Sequence, residues 1–195
     1  TETTARKQTG SFYTPREIVN FMVDESLVAY FVSKLKDGPD LQKRLRHLLD
    51  YNNEPVQFSE SEINILIRSI DEVKVLDPAC GSGAFPMGVL HKLVYLLQRL
   101  DSNNERWREL QRNKALQEIQ GAYHIIERLD RQERLKEIDE TFANNTDDYG
   151  RKLYLIENCI YGVDIQPIAV QIAKLRFFIS LVVEQQPDNK SNRGI

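Results

Sequence analysis

The chain has few cysteines and lacks a long apolar segment. Cys80 and Cys159 are too few to form a disulfide framework. No apolar run approaches the roughly 18 residues that a membrane-spanning helix needs, and the first residues do not have the pattern of a signal peptide. We therefore expect a cytoplasmic protein with reduced thiols and no membrane contact.

An excess of basic residues is also missing. The chain has 26 lysines and arginines against 29 aspartates and glutamates, a formal net charge of -3. Proteins that bind duplex DNA unaided usually carry a basic surface that neutralises phosphates. We therefore expect weak DNA affinity from this chain alone. The three histidines, His47, His91 and His124, have no partner at a metal-ligand spacing, so no metal site is predicted.

The length bounds the domain organisation. A chain of 195 residues with 41% hydrophobic residues can form one compact domain with a proper core and a helical appendage. It begins with Thr1 rather than methionine and ends in a polar segment, 189–195. We expect it to be part of a longer protein.

A glycine-rich turn joins an apolar run to a helical pattern. The run VKVL at 73–76 ends in Asp77, and the turn PACGSG at 78–83 follows. Gly81 and Gly83 permit a sharp turn, and the helix after it offers unpaired N–H groups and a positive dipole end. This pattern is typical of a nucleotide-type cofactor site that accepts a carboxylate or phosphate.

The same turn lacks the features of two common phosphate sites. A dinucleotide-binding turn needs a third glycine where Pro86 stands, and the chain has no G-x-x-x-x-G-K-[ST] loop. Neither a pyrophosphate nor a triphosphate is therefore favoured.

A second strand-helix unit comes late in the chain. The sequence CIYGVD at 159–164 predicts a short buried strand that ends in Asp164, and an amphipathic helix is predicted through Val183. Two parallel strands joined by helix imply an α/β fold with a partial doubly wound, Rossmann-like sheet. Because the chain supplies only part of such a sheet, we expect helix to dominate.

Capping patterns predict the positions of the other helices. Thr14 is predicted to cap the first helix, with Pro15 at its first position and Glu17 completing a capping box. Further helices are predicted at 40–49 and at 59–70, the latter opened by Ser59 and Glu62. A charged, helical interval at 101–152, opened by Ser102 and Glu105, reads as a hairpin inserted between the two strands.

Three segments resemble N6-adenine DNA methyltransferases. These are DPACGSGAF at 77–85, YGVDI at 161–165 and GSFYTP at 10–15. The resemblance is to enzymes whose cofactor region precedes the catalytic region, notably fused type II restriction-modification enzymes and related phage-defence methyltransferases. It implies an N-terminal helical region at 1–71 and a partial S-adenosylmethionine-binding domain at 72–195, and it does not cover the inserted hairpin.

The resemblance also implies a role for individual residues. The glycine turn would hold the methionine part of S-adenosylmethionine, with Asp77 near its amine, and the GSFYTP element would fold over that end. Asp164 would hold the ribose hydroxyls, and Ile165 would pack on the adenine. The cofactor-binding residues implied are Phe12, Thr14, Asp77, Ala79, Cys80, Gly81, Gly83, Asp164 and Ile165.

One element of that family is absent. Amino-methyltransferases carry an [ND]-P-P-[YF] element that binds the target amino group and stacks on the flipped base. None of the seven prolines of this chain is adjacent to another. We therefore expect the parent protein to methylate DNA, and this chain alone to be inactive.

Each candidate residue also has a structural explanation. Asp164 could cap the helix that follows, the glycines could serve packing alone, and Thr14 with Pro15 could serve helix capping alone. Cys80 is interpreted as a small turn residue rather than a nucleophile. The basic run with Arg106, Arg108 and Arg112 is interpreted as a solvated helix face, with a DNA contact as the alternative.

Two other functions stay open. Methyltransferases that act on protein glutamine or on small molecules share the cofactor loop. A helical interaction module that keeps a degenerate cofactor fold is the second possibility, and titration with the cofactor would separate it from the enzymes.

Overall fold

The computed structural model describes residues 14–36, 38, 40–52, 54–120, 129, 133, 136 and 147–183. This part of the chain is rich in helix and contains a small parallel sheet. Its elements in chain order are α1 (Arg16–Lys34), α2 (Leu41–Leu49), α3 (Glu60–Glu72), β1 (Val75–Asp77), α4 (Ala84–Leu100), α5 (Glu105–Gln120), α6 (Asp147–Asn158), β2 (Ile160–Gly162) and α7 (Pro167–Val182).

The two strands pair in parallel, as predicted. Val75 lies opposite Ile160 and Asp77 opposite Gly162, and the N–H of Val75 donates to the carbonyl of Cys159 at 2.8 Å. Parallel pairing brings the carboxyl ends of both strands to the same edge of the sheet. The described residues contain no third strand, so the wider doubly wound, Rossmann-like sheet stays a prediction.

Helix α4 contacts both strands and most of the other helices. Gly88 lets α1 approach closely, because an added Cβ would lie 2.6 Å from Cγ1 of Val19. One turn later the buried ammonium of Lys92 lies 2.9 Å from the carboxylate of Asp24 and donates to the carbonyl of Leu49 at 2.9 Å. A buried cation that is paired in this way fixes α4 against α1 and α2.

Apolar side chains of α1 to α4 form one core with those of the inserted segment. Burial of each large aliphatic side chain contributes about 1.5 to 3 kcal/mol. The large apolar side chains that are fully buried include Phe31, Leu45, Leu48, Leu49, Leu66, Ile70, Leu90, Leu93, Leu96, Leu97 and Trp107.

Helix α3 has its predicted cap, whereas α1 does not. Ser59 donates its N–H to Glu62 at 2.8 Å and accepts the N–H of Glu62 at 3.4 Å. The N–H of Ser59 and the guanidinium of Arg44 both donate to the Glu62 carboxylate and hold its pKa below the usual value. At α1, Pro15 is the N-cap, so the predicted capping box from Thr14 is wrong. The helix begins one residue later than predicted, at Arg16, so the N-cap position falls on Pro15, whose side chain cannot accept a hydrogen bond.

The inserted segment is capped by a different residue from the one predicted. The carboxylate of Asp101 accepts the N–H groups of Arg106 at 3.3 Å and Trp107 at 2.9 Å. The predicted capping box of Ser102 and Glu105 is therefore wrong. The carboxylate one residue earlier offers two acceptors and satisfies two orphan donors at once.

Buried polar and aromatic groups hold the insertion against the core. The buried side chain of Asp71, at the end of α3, accepts the amide of Gln111 at 2.8 Å and pairs with Lys114. Trp107 is fully buried and lies edge-on to Tyr154, with ring centroids 5.3 Å apart. Helix α5 and the first half of α6 lie within the predicted insertion at 101–152. Most of 121–146 lies outside the described residues, so the hairpin itself stays a prediction.

Helix α7 differs from its prediction as an amphipathic helix. Of its described residues only Ala173 is buried, and most of its large apolar side chains are exposed. The exposed ones include Ile168, Ile172, Leu175, Phe178, Ile179 and Val182. None of the described helices is both long enough and apolar enough to cross a bilayer.

Candidate functional site

The loop after β1 runs alongside the residues that follow β2. The N–H of Val163 donates to the carbonyl of Asp77 at 2.9 Å, and the N–H of Cys80 donates to the carbonyl of Val163 at 2.9 Å. The strand pairing therefore continues beyond the sheet and brings the glycine turn to the carboxyl end of β2. In open parallel sheets this edge is where ligands bind.

Asp164 is joined directly to that turn. Its Oδ2 accepts the N–H of Gly81 at 2.8 Å, and its Oδ1 accepts the N–H of Gln166 at 2.8 Å. The structure therefore brings together the two segments that the sequence separates by more than 80 positions. A carboxylate has about four lone-pair positions, so two positions are left for other donors.

Asp164 is not the N-cap of α7, so its explanation as a helix cap is wrong. Gln166 is the N-cap residue of α7, and its side chain makes no capping hydrogen bond. The bond from the Gln166 N–H to Asp164 fixes the chain that enters the helix. Because the other oxygen of Asp164 holds Gly81, capping alone does not account for this side chain.

The two glycines of the turn have different surroundings. Both have positive φ, +53° at Gly81 and +81° at Gly83, which favours glycine. A Cβ on Gly83 would lie 3.0 Å from the Cβ of Ala173 on α7, whereas a Cβ on Gly81 would have no atom within 4 Å. Gly83 therefore serves helix packing, and Gly81 faces open space.

Most backbone N–H groups of the turn are bonded within the protein. Ala79 donates to Oδ1 of Asp77 at 3.1 Å, and Gly83 donates to the carbonyl of Cys80 at 2.8 Å. Together with the bonds of Cys80 and Gly81 described above, four donors of the turn are used. Among the described residues 79–85, the N–H groups without a protein acceptor are those of Ser82, Ala84 and Phe85. These are the donors that an anionic ligand could meet.

Cys80 is a packing residue rather than a reactive thiol. It is buried, and a Cβ on Gly162 would lie 3.0 Å from its Sγ. Burial raises the pKa of the thiol, and the carboxylates of Asp77 and Asp164 raise it further. The thiolate form is therefore disfavoured, which opposes a nucleophilic role.

Ile165 projects from this edge into solvent. It is 90% exposed, the highest value among the large apolar residues described. An apolar side chain so exposed next to a carboxylate offers one face to a planar ring. Asp77 is half-buried at the other side of the turn, and its second oxygen has no partner among the described residues.

The N-terminal candidates are only partly described. Phe12 lies outside the described residues, and Thr14 is half-buried directly ahead of α1. The contact between Val19 and Gly88 places the first turns of α1 against the first turns of α4. A role for Phe12 and Thr14 at the cofactor stays a prediction.

Arg176 is a residue of this site that the sequence reasoning missed. From α7 its Nη1 donates to the carbonyl of Ser82 at 2.9 Å. It lies three residues after Ala173, on the same helical face that meets the turn. That spacing from the small residue is the signal that could have identified it.

The remaining candidates lie elsewhere. Arg106 pairs with Glu60 and Asn64 on α3, so its side chain is used in docking the insertion. Burial lowers the pKa of His91, and the positive charges of Lys152, Arg16 and Arg176 lower it further. Among the described residues, no group of three or more histidines, cysteines or carboxylates could hold a metal ion.

Comparisons with known proteins found one informative relative. The chain is 27% identical over 183 residues to a protein of Methanocaldococcus jannaschii named "Putative type II restriction enzyme and methyltransferase". The match covers 91% of this chain and 12% of that protein, so the chain spans about one eighth of the relative's length. No protein-family model matches the chain. No solved structure matches it either.

Proposed function

We propose that this chain is the cofactor-binding part of an S-adenosylmethionine-dependent DNA adenine-N6 methyltransferase from a restriction-modification system. The observation that carries the proposal is the hydrogen bond between Asp164 and the N–H of Gly81, which joins two strand ends at one edge. The restriction and methyltransferase functions in the name of the relative support the same class.

The residues at this edge fit the cofactor. The free N–H groups of Ser82, Ala84 and Phe85, at the positive end of α4, suit the methionine carboxylate. The free oxygen of Asp77 suits the ammonium group. The open space at Gly81 leaves room for the methionine part of the cofactor.

The adenosine half would lie at the end of β2. Asp164 would accept hydrogen bonds from the ribose hydroxyls through its two remaining lone-pair positions. The exposed side chain of Ile165 would cover one adenine face. When bound, S-adenosylmethionine supplies an electrophilic methyl group, and this chain's residues bind and orient it.

The exposed apolar surface supports a larger parent enzyme. The large apolar side chains of α7 named above and the strand residues Leu76 and Tyr161 are exposed, and clustered exposed apolar side chains commonly mark a surface that another part of a protein covers. Parallel sheets are normally covered on both faces. We propose that other parts of a longer enzyme cover this surface and supply the absent [ND]-P-P-[YF] element, so that methyl transfer to DNA requires them.

A non-catalytic interaction module is the second candidate. It is favoured by the bonds inside the turn, since Ala79, Cys80, Gly81 and Gly83 all have protein acceptors without any ligand. A turn whose N–H groups are mostly hydrogen-bonded within the protein can have a purely structural role. The experiment below separates the two candidates.

Calorimetric titration with S-adenosylmethionine tests the proposal. We expect the native chain to bind one equivalent, and Asp164→Ala to bind at least about tenfold more weakly, because charge-assisted hydrogen bonds contribute about 1.5 to 3 kcal/mol each. Glu157→Ala, which removes an exposed carboxylate of α6, is the matched control and should bind normally. Circular dichroism confirms that each variant is folded.

Two results would contradict the proposal. A folded native chain that gives no heat with the cofactor would favour the interaction module. Transfer of a labelled methyl group to duplex DNA by the 195-residue chain alone would show that the catalytic element is not missing.

A further inference from the structure

Helix α7 contacts the glycine turn at two levels. Ala173 packs against the backbone of Gly83, so closely that a Cβ there would be 3.0 Å away, and Phe177 borders the same position at 4.0 Å. Arg176, on the same face, extends its guanidinium over the turn and donates to the carbonyl of Ser82 at 2.9 Å. The helix thus supports the turn with one apolar contact and one charged hydrogen bond.

The hydrogen bond of Arg176 completes the restraint of one peptide unit. The Ser82–Gly83 peptide has its carbonyl bound by Arg176 and its N–H bound by the carbonyl of Cys80 at 2.8 Å. Gly81 and Gly83 flank Ser82 and have positive φ. Glycine reaches many backbone conformations at little energetic cost, so a turn of this kind keeps one conformation only if its peptides are bound.

We infer that Arg176 is a positioning residue for the candidate cofactor loop, acting through the carbonyl of Ser82. Asp164 binds the first glycine from the end of β2, and Arg176 binds the second half of the turn from α7. Both restraints come from the second strand-helix unit. The direction of the free N–H groups at Ser82 and Ala84 depends on the peptide plane that Arg176 holds.

The geometry explains why a cationic fork suits this position. Hydrogen bonds from an ionised donor are stronger than neutral ones, and the guanidinium is planar and holds its donors in fixed directions. The residue is exposed, so its removal should leave the core intact. Its effect should therefore be local to the turn.

Hydrogen-deuterium exchange of the turn tests this inference. In Arg176→Met we expect the hydrogen-bonded amides of the turn, those of Ala79, Cys80, Gly81 and Gly83, to exchange about threefold to tenfold faster, the range for loss of one solvent-exposed hydrogen bond of about 0.5 to 1.5 kcal/mol. The melting temperature should change little. Arg176→Lys, which keeps a cationic donor, should restore most of the protection. Lys174→Met, an exposed cation on the same helix, is the matched control.

The effect on the cofactor depends on the proposed function and has its own readout. We expect Arg176→Met to raise the Kd for S-adenosylmethionine about threefold to tenfold, whereas Lys174→Met should not change it. If the native chain does not bind the cofactor but the turn of Arg176→Met exchanges faster, the positioning role stands and the proposed function fails. If exchange in Arg176→Met equals that in Lys174→Met, the positioning role is wrong, whatever the affinity.

Discussion

The carboxylate of Asp164 accepts the N–H of Gly81 at 2.8 Å. This single bond joins the turn after β1 to the residue after β2, and the parallel register of the strands makes it possible. The second oxygen of Asp164 orients the entry into α7, whose Arg176 then reaches Ser82. The candidate site is therefore built by cooperation between two strand-helix units.

Substitution of the first glycine separates folding from ligand binding. Gly81→Ala places a methyl group in open space at positive φ, where the left-handed conformation costs about 1 to 2 kcal/mol. We expect a modest loss of stability in urea titration. Binding of S-adenosylmethionine should weaken at least about tenfold, because the methyl group occupies the ligand side of the turn. Unchanged affinity in this variant would place the ligand elsewhere.

Packing between α1 and α4 predicts a coupled pair of mutations. Gly88→Ala would force its Cβ to within 2.6 Å of Val19, and overpacking of this kind costs about 1 to 3 kcal/mol. In a Val19→Ala background the same change should cost at least about 1 kcal/mol less, because the opposing methyl groups are gone. A double-mutant cycle of free energies of unfolding measures this coupling. Strict additivity would contradict the observed contact.

The cap of the inserted segment predicts that mutation of Asp101 costs far more stability than mutation of its neighbour Ser102. Asp101→Ala leaves the N–H groups of Arg106 and Trp107 without their acceptors, one of them buried. We expect the free energy of unfolding to fall by about 2 kcal/mol. Ser102→Ala, at the residue that the sequence pattern favours as the cap, should be nearly neutral. Equal costs for the two variants in urea titration would restore the sequence-based prediction.

The buried thiol of Cys159 predicts a loss of stability in alkali. Burial raises the pKa of Cys159 to about 11 from its ordinary value of 9.0, and the thiol contacts the carbonyls of Ile70 and Asp71. The folded state thus keeps a proton that the unfolded state releases above pH 9. The contribution of the Cys159 thiol to the free energy of unfolding is therefore fully present below pH 9. As the pH rises to about 11, the free energy of unfolding falls by about 2 to 3 kcal/mol.

Comparison with Cys159→Ala isolates this contribution from other alkaline titrations. Below pH 9 the native chain and the variant should differ in free energy of unfolding by a constant amount. Between pH 9 and 11 the native chain should lose stability relative to the variant. A difference that does not change with pH over this interval would show that the thiol titrates alike in both states.

Local patterns were enough to predict the elements of the site. The apolar run before Asp77, the glycine turn and the strand before Asp164 are each readable within a few residues, and parallel strands must end at the same edge. The same logic predicts a helix directly after the glycine turn, and α4 begins there, at Ala84. What it predicts is the neighbourhood of these residues, not their bonds.

The details that sequence could not supply depend on rotation and on single-residue shifts. Thr14 lies one residue before the N-cap of α1, and Ser102 lies next to Asp101, whose carboxylate caps α5. Boundary errors of one or two residues are normal for pattern-based prediction. The contact of Arg176 with Ser82 depends on how α7 is rotated about its axis. Apolar residues lie on all sides of this helix, so its sequence does not specify the rotation. The exposure of the apolar side chains of α7 could not be predicted for the same reason, because hydrophobic character alone does not say which neighbour covers a helix.

The most direct test of the account is an amide-resolved NMR titration of the ¹⁵N-labelled chain with S-adenosylmethionine. We expect saturable chemical-shift changes at Ser82, Ala84 and Phe85, the free donors of the turn, and at Ile165 beyond β2, with little change in α2. Shifts confined to other parts of the chain, or none at all in a folded sample, would contradict the central claim that this edge of the sheet is a cofactor site.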